Sequence, residues 1–198
     1  STTQAKAGDA GQVSIGAKVG MLILLRVNGD IKEDGGVQTF DIKDKTRFVT
    51  SLPVTFVYKF HNSGNDRVMP KGSISIRNTV YYETDTLDAN PQAGNVLPNS
   101  TRKFEVTWGS EKAIDAAAPF FDQVKYQARN FALGIYFANM DLAFGTKGTS
   151  SSSVTFFVFP WQLMSIVLVV VFLVILILRV AIKRYNAWII KQARKHMK

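Results

Sequence analysis

From residue 19 to 159, apolar and polar positions alternate with a period of two, and clusters of Gly, Asn, Asp and Pro interrupt them. That pattern predicts short strands joined by turns rather than helices. Met21, Ile23, Leu25 and Val27 share one face of a first strand, which ends at Asn28-Gly29-Asp30. Asp34-Gly35-Gly36 precedes a second strand, Val37 to Ile42. Pro53 opens the clearest strand, with Val54, Phe56, Tyr58 and Phe60 on one face and Thr55, Val57 and Lys59 on the other. The run 62–66 (Asn-Ser-Gly-Asn-Asp) is a turn cluster whose side chains can bond their own backbone. Ile74 and Ile76 form the next inward pair, and Phe104, Val106 and Trp108 follow the loop from Gly94 to Thr101. Between Val124 and Phe137 the alternation changes phase: Val124, Tyr126 and Ala128, then Phe131, Leu133, Ile135 and Phe137. A bulge near Arg129–Asn130, or two separate strands, accounts for the slip. Val154 to Phe159 is the last strand, and the Ser/Thr/Gly stretch 145–153 reads as a loop inside the domain. Some seven strands with regular turns predict a mainly β chain, an immunoglobulin-like antiparallel β-sandwich over residues 19–159. A small barrel is the alternative fold.

The pattern then changes abruptly. Trp161 to Leu178 reads WQLMSIVLVVVFLVILIL, without a charge. As a helix it would run about 27 Å, close to the thickness of a bilayer's hydrocarbon core. Residues 160–182 are therefore expected to form one C-terminal transmembrane α-helix, and 183–198 a basic cytoplasmic tail. Trp161 stands at one boundary and Tyr185 and Trp188 at the other, as aromatic belts do, while Arg179 can snorkel towards headgroups. Ile182, Tyr185, Trp188, Ile189 and Gln192 fall near one face if the helix continues into the tail. With Lys183 and Arg184 beside it, that tail is either a lipid-clinging interfacial helix or an ordinary stop-transfer anchor, and the second reading is favoured.

Charge changes the picture only by its distribution. The formal net charge is +9, but seven basic residues lie from Arg179 onward and no acidic residue follows Asp141. The first 160 residues keep 17 of the 24 basic groups against all 15 acidic ones, a net of +2. Excess charge beside an apolar segment is a membrane-flanking signature and argues against nucleic acid as a partner. The positive-inside rule puts the β domain outside the cytoplasm. Cysteine is absent, so no disulfide, thiolate nucleophile or Cys-lipid anchor is available. Residues 1–18, beginning at Ser1, are small and polar and read as a disordered lead-in left by removal of a signal.

The segments HNSGNDRVMPKGSISIRN (61–78) and NVLPNSTRKFEVTW (95–108) resemble a pattern in bacterial surface β-sandwiches. There a strand ends in Asn-x-Gly-Asn, Pro and Gly lead into Ile-x-Ile, and a Leu-Pro-x-Ser-x-Arg turn starts an aromatic strand. The pattern is similar to the peptidoglycan-binding domain of WxL-interacting proteins. It is closer still to single-span envelope proteins of reduced-genome bacteria, which also end in a sandwich, Pro-Trp, one span and a basic tail like RYNAWII (184–190). The resemblance implies a bacterial envelope setting and contact with cell-wall glycan or another surface protein. It carries over no binding residue. The stretch 111–123 departs from the compact turn such a domain would have and reads as an insertion.

The chemistry for catalysis is thin. His61 borders a turn and His196 lies in the tail. A Ser-His-Asp set using His61 and Asp66 lacks a nucleophile elbow, and pairs such as Glu33–Asp34 flank turns. No cofactor or metal motif appears. A non-enzymatic module is expected, with an envelope hydrolase centred on His61 as a remote alternative. Loops of a sandwich carry binding more than strands do. Asn62, Asn65, Asp66, Tyr81, Tyr82 and Asn99 are the candidate partner contacts; Asn99-Ser100-Thr101 also fits a glycosylation sequon. The competing reading is an accessory subunit of a membrane complex, using Ser165, Val167, Val170 and Val174 as a helix-packing stripe. The expected partners are thus the bilayer and a protein or wall glycan.

Overall fold

The computed structural model describes residues 29–79, 82–109, 112–115 and 117–196, with side chains as far as 190. The expected lead-in 1–18, the first strand at Met21 to Val27, and Tyr81 lie outside the described residues. What is described is mainly β: two sheets and one C-terminal apolar helix.

The strands are β1 (Gly35–Ile42), β2 (Phe48–Val49), β3 (Val54–Asn62), β4 (Lys71–Asn78), β5 (Glu83–Asp88), β6 (Ser100–Trp108), β7 (Gly134–Phe144) and β8 (Gly148–Val158); the helices are α1 (Phe120–Arg129) and α2 (Trp161–His196). One sheet has the order β1-β3-β6 and the other β2-β8-β7-β4-β5. All pairings are antiparallel except that of β2 with β8.

The facing sides of the sheets meet in one aromatic core. Val54, Phe56, Tyr58 and Phe60 are buried as their alternation predicts, and so are Ile74, Ile76, Val106 and Trp108. Phe56 meets Phe156 edge-on at 5.7 Å, Phe60 meets Phe144 at 5.0 Å, and Tyr58 stacks on Phe104 at 4.8 Å. Such pairs add about 0.5–1.5 kcal/mol each beyond the area they bury. The Tyr58 hydroxyl donates to the Ala89 carbonyl at 2.8 Å, and burial pushes its ionisation well above the usual tyrosine range.

Three expectations from the alternation are corrected. Residues 124–128 do not form a strand. They lie in α1, which follows Pro119, carries Asp122 in its first turn and Arg129 in its last, and so suits the helix macrodipole at both ends. On β7 the inward phase is Tyr136, Ala138, Met140, Leu142 and Phe144, while Phe131, Leu133 and Ile135 are exposed. The stretch 145–153 is no loop beyond residue 147: β7 and β8 pair from Phe144↔Gly148 down to Gly134↔Val158.

Registers define two ends. The end at Asn62, Ser100, Lys71, Phe144 and Gly148 is distal; the end at Val54, Trp108, Asn78, Gly134 and Val158 is the one from which α2 leaves.

Candidate functional site: the distal turns and the junction with the apolar helix

At the distal end the chain is held by two buried asparagines. Asn62 donates from Nδ2 to the Asp66 and Val96 carbonyls at 2.7 and 3.0 Å, and its Oδ1 accepts from the Gly64 amide at 2.9 Å. Asn90 repeats the arrangement with the Pro70 and Gly94 carbonyls and the Gly94 amide. Gly64 is required where it stands, since a Cβ there would sit 2.2 Å from the Lys32 carbonyl oxygen. Asn62 is therefore corrected as a partner contact: its side chain is wholly buried and committed to the turn.

Asn65 and Asp66 lie on the outside of that turn, although the Asn65 Oδ1 accepts from the Lys32 amide at 2.7 Å. Asn99 is exposed on the neighbouring turn with φ of 50°, a conformation asparagine tolerates. These three candidates share the distal end. Tyr82 does not: its carbonyl accepts from Asn78, which pairs with Tyr136, and this puts it at the α2 end.

Alongside the distal turns runs a polar groove of about 300 Å³ lined by Asn90, Gln92, Arg102, Lys103 and Glu105. Arg102 lies 5.3 Å over the Phe104 ring and donates to the Asn95 carbonyl at 2.9 Å. Lys103 holds the exposed Glu105 carboxyl below the usual carboxylate range, and Lys43 adds to the effect. On the outer face of the larger sheet, Ser75, Arg77, Asn139, Asp141, Ser151 and Ser153 line a broader, shallower concavity of about 510 Å³. Sequence reasoning missed both surfaces because it assigned binding to loops. His61 pairs through Nδ1 with the Thr101 hydroxyl opposite it, at 3.0 Å. Among the described residues no cluster of His, Asp or Glu could hold a metal ion.

At the other end the sandwich passes into α2 through Phe159 and Pro160 alone. α1 packs on the first turn of α2, and three glutamines make the joint: Gln127 donates to Gln162, and Gln162 donates to Gln123. The Gln127 Oε1 accepts from the Leu163 amide at 3.0 Å. That amide belongs to the first turn of α2 and has no partner within its own helix, so α1 supplies a cap from outside. Phe120 contacts Trp161 at 6.3 Å between ring centres. From Val167 to Ile190 the helix is exposed all round, and Trp161–Ile190 is long and apolar enough to cross a membrane by length and composition. Arg179, Lys183 and Arg184 are exposed on it, and Tyr185 stacks on Trp188. The helix runs on through His196, so the boundary expected at 182 falls inside one continuous element.

No family model matches the chain, and no curated protein does. The resemblance to WxL-interacting proteins thus finds no support from a matched family. Among solved structures the chain is similar to the CARDB domain of a Pyrococcus furiosus protein, solved in complex with di-metal ions. The identity is 9%, the TM-score 0.36, and the match covers 65% of this chain and 88% of that one. It is also similar to Spo0M, a sporulation control protein from Bacillus subtilis, at 12% identity and a TM-score of 0.34, over 67% of this chain and 50% of that one. With both scores below 0.5, neither likeness decides anything about this chain.

Proposed function

We propose that this chain is a membrane-anchored, non-enzymatic module of the cell envelope. In this reading α2 spans the bilayer, an immunoglobulin-like sandwich stands outside the cytoplasm, and the distal end meets cell-wall glycan or another surface protein. The observation that carries it is the joint: two residues and a glutamine lock connect a folded domain to an apolar helix exposed on every side. The basic residues on the far stretch of that helix favour a cytoplasmic C-terminus. The groove at Arg102–Phe104 and the serine-rich sheet face offer hydroxyl, amide and guanidinium groups suited to a polar polymer.

The natural absence of cysteine makes the test clean. With Asn65→Cys, a membrane-impermeant maleimide is expected to label intact cells; with Met197→Cys, labelling requires permeabilisation. Equal labelling of both without permeabilisation overturns the topology. Crosslinking mass spectrometry on the full chain, purified in mild detergent from its own membrane, then tests the partner. Crosslinks from the distal turns to wall fragments or surface proteins are expected. A stoichiometric membrane partner crosslinked only near residues 156–185 would replace this reading with the accessory-subunit one.

A further inference from the structure

The α2 end of the sandwich is apolar where it should be wetted. Phe48, Phe121, Phe131, Leu133, Ile135 and Phe159 all lie there, with exposures between 41% (Ile135) and 74% (Phe48). Among the described residues, only Ile31 and Leu97 are comparably exposed large aliphatic or aromatic side chains at the distal end. The excess is organised. Phe48, Phe157 and Ile135 are register partners in one row across β2, β8 and β7, and Phe159 stacks on Phe157 at 6.1 Å. Phe121 packs edge-on against Phe120, which in turn meets Trp161. Phe131 and Leu133 occupy the short connection from α1 to β7.

We propose that α1 and this ring of apolar residues form a second contact with the bilayer, seated at the boundary between headgroups and acyl chains. The inference rests on the reading of α2 as a membrane span. Given that span, continuity fixes the occupant. The glutamine joint holds α1 beside residues 162 and 163, where α2 begins, so α1 is within about one helix diameter (10–12 Å) of the point where the chain meets lipid. Exposed apolar side chains gathered at one end in this way, held in water, favour association, whereas lipid next to them covers them without a partner. On α1, Phe120 and Phe121 stand exposed at the start, and Lys125 and Arg129 follow Phe121 at four-residue spacing along the same exposed side, where they can meet headgroup phosphates. The domain is then held by its span and by its rim together.

The test uses the full chain reconstituted in phosphatidylcholine vesicles, with single cysteines carrying a bimane fluorophore. Phe48→Cys, Phe121→Cys and Leu133→Cys probe the rim, Asn65→Cys the distal end and Leu173→Cys the span. All five replace exposed side chains outside the sandwich core, which is left intact. Rim labels are expected to be quenched by lipids brominated near the headgroup and to be shielded several-fold from aqueous iodide relative to the Asn65→Cys label. If rim labels meet iodide as freely as the distal label while the Leu173→Cys label is quenched by bromolipid, the span stands and the rim contact is overturned. Shielding from both quenchers means that protein covers the rim, and this also overturns it. A Leu173→Cys label that bromolipid does not quench removes the span, and with it the basis of the rim contact.

Discussion

Asn62 shows how one residue can be polar, lie in a turn and still be inaccessible. Its amide meets two carbonyls and one N–H in a space closed to water, as does that of Asn90. Asn62→Ala removes a donor from the Asp66 carbonyl, while the Gly64 amide still donates to the Asp34 carbonyl and the Val96 carbonyl still accepts from Val68, both at 3.0 Å. The expected loss is about 1–3 kcal/mol in thermal or denaturant unfolding of the full chain in detergent. Asn99→Gly, at an exposed left-handed position, should stay within about 0.5 kcal/mol. Asn62 continues the inward phase of Val54, Phe56, Tyr58 and Phe60, so the alternation of β3 carries it to the buried face, whereas Asn99 follows Pro98 in an exposed turn. Tyr58 gives a prediction with a defined sign. Its folded-state ionisation is raised above the usual value, chiefly by burial and further by Asp88, while Arg102 opposes the shift. Above pH of about 10 the unfolded chain gives up this proton before the folded chain does, so stability falls as pH rises, by about 1.4 kcal/mol per pH unit for one proton. Tyr58→Phe should remove one proton's share of that alkaline slope, measured by unfolding between pH 9 and about 11, leaving the share of Tyr136, which burial also raises.

Among elements, the joint of α1 with α2 depends on one side chain more than any other. Gln127→Leu deletes the acceptor for the part-buried Leu163 amide and the donor to the buried Gln162 Oε1, while Gln162 still donates to Gln123. About 1–3 kcal/mol of local stability should go. Amide exchange should quicken in α1 and in residues 160–164, while the amides of β3 and β6, on the other sheet, keep their protection. Faster exchange throughout the sandwich would mean that the joint belongs to the global core. The strands that could be read from sequence are those with one wet face. β3 alternates cleanly because Lys59 and Thr55 face solvent while Phe56, Tyr58 and Phe60 fill the core. The start of β7 cannot be read this way, since 131–138 is apolar in both phases and the series Phe131, Leu133, Ile135 and Phe137 stands out over the buried one. If the outer phase faces lipid, two-phase apolarity is what that position demands. α1 was hidden by its shortness: ten residues give few turns over which a helical period can outvote an accidental alternation. The alternation alone starts β8 late because Ser150 to Ser153 reads as a loop inside the domain, yet its serines pair along β7 and Ser150 accepts from the Val37 amide at 3.1 Å.

For the whole molecule, the question is what sets the angle between sandwich and bilayer. Trp161 and Tyr185 are 24 residues apart on one helix, about 36 Å along its axis, a length that matches the distance between the interfaces of an ordinary bilayer. In the proposed topology the basic residues beyond Leu178 lie on the inner side, and the two-residue connector and the apolar rim are the proposed restraints on the domain outside. These two restraints can be separated. A six-residue Gly/Ser insertion between Phe159 and Pro160 cuts the connector but leaves the rim's side chains as they were. In oriented bilayers, polarised infrared dichroism of the strand amides should therefore fall only in part, while that of the helix is unchanged. Adding Phe121→Ser and Leu133→Ser to the insertion should abolish the remaining strand dichroism, with little change in the unfolding of the sandwich because both side chains lie outside its core. Complete loss with the insertion alone would assign the orientation to the connector and leave the rim no part in it. Full retention in the triple variant would show that neither restraint holds the domain and would leave its orientation to the glutamine joint of α1 with α2 or to another surface of the sandwich.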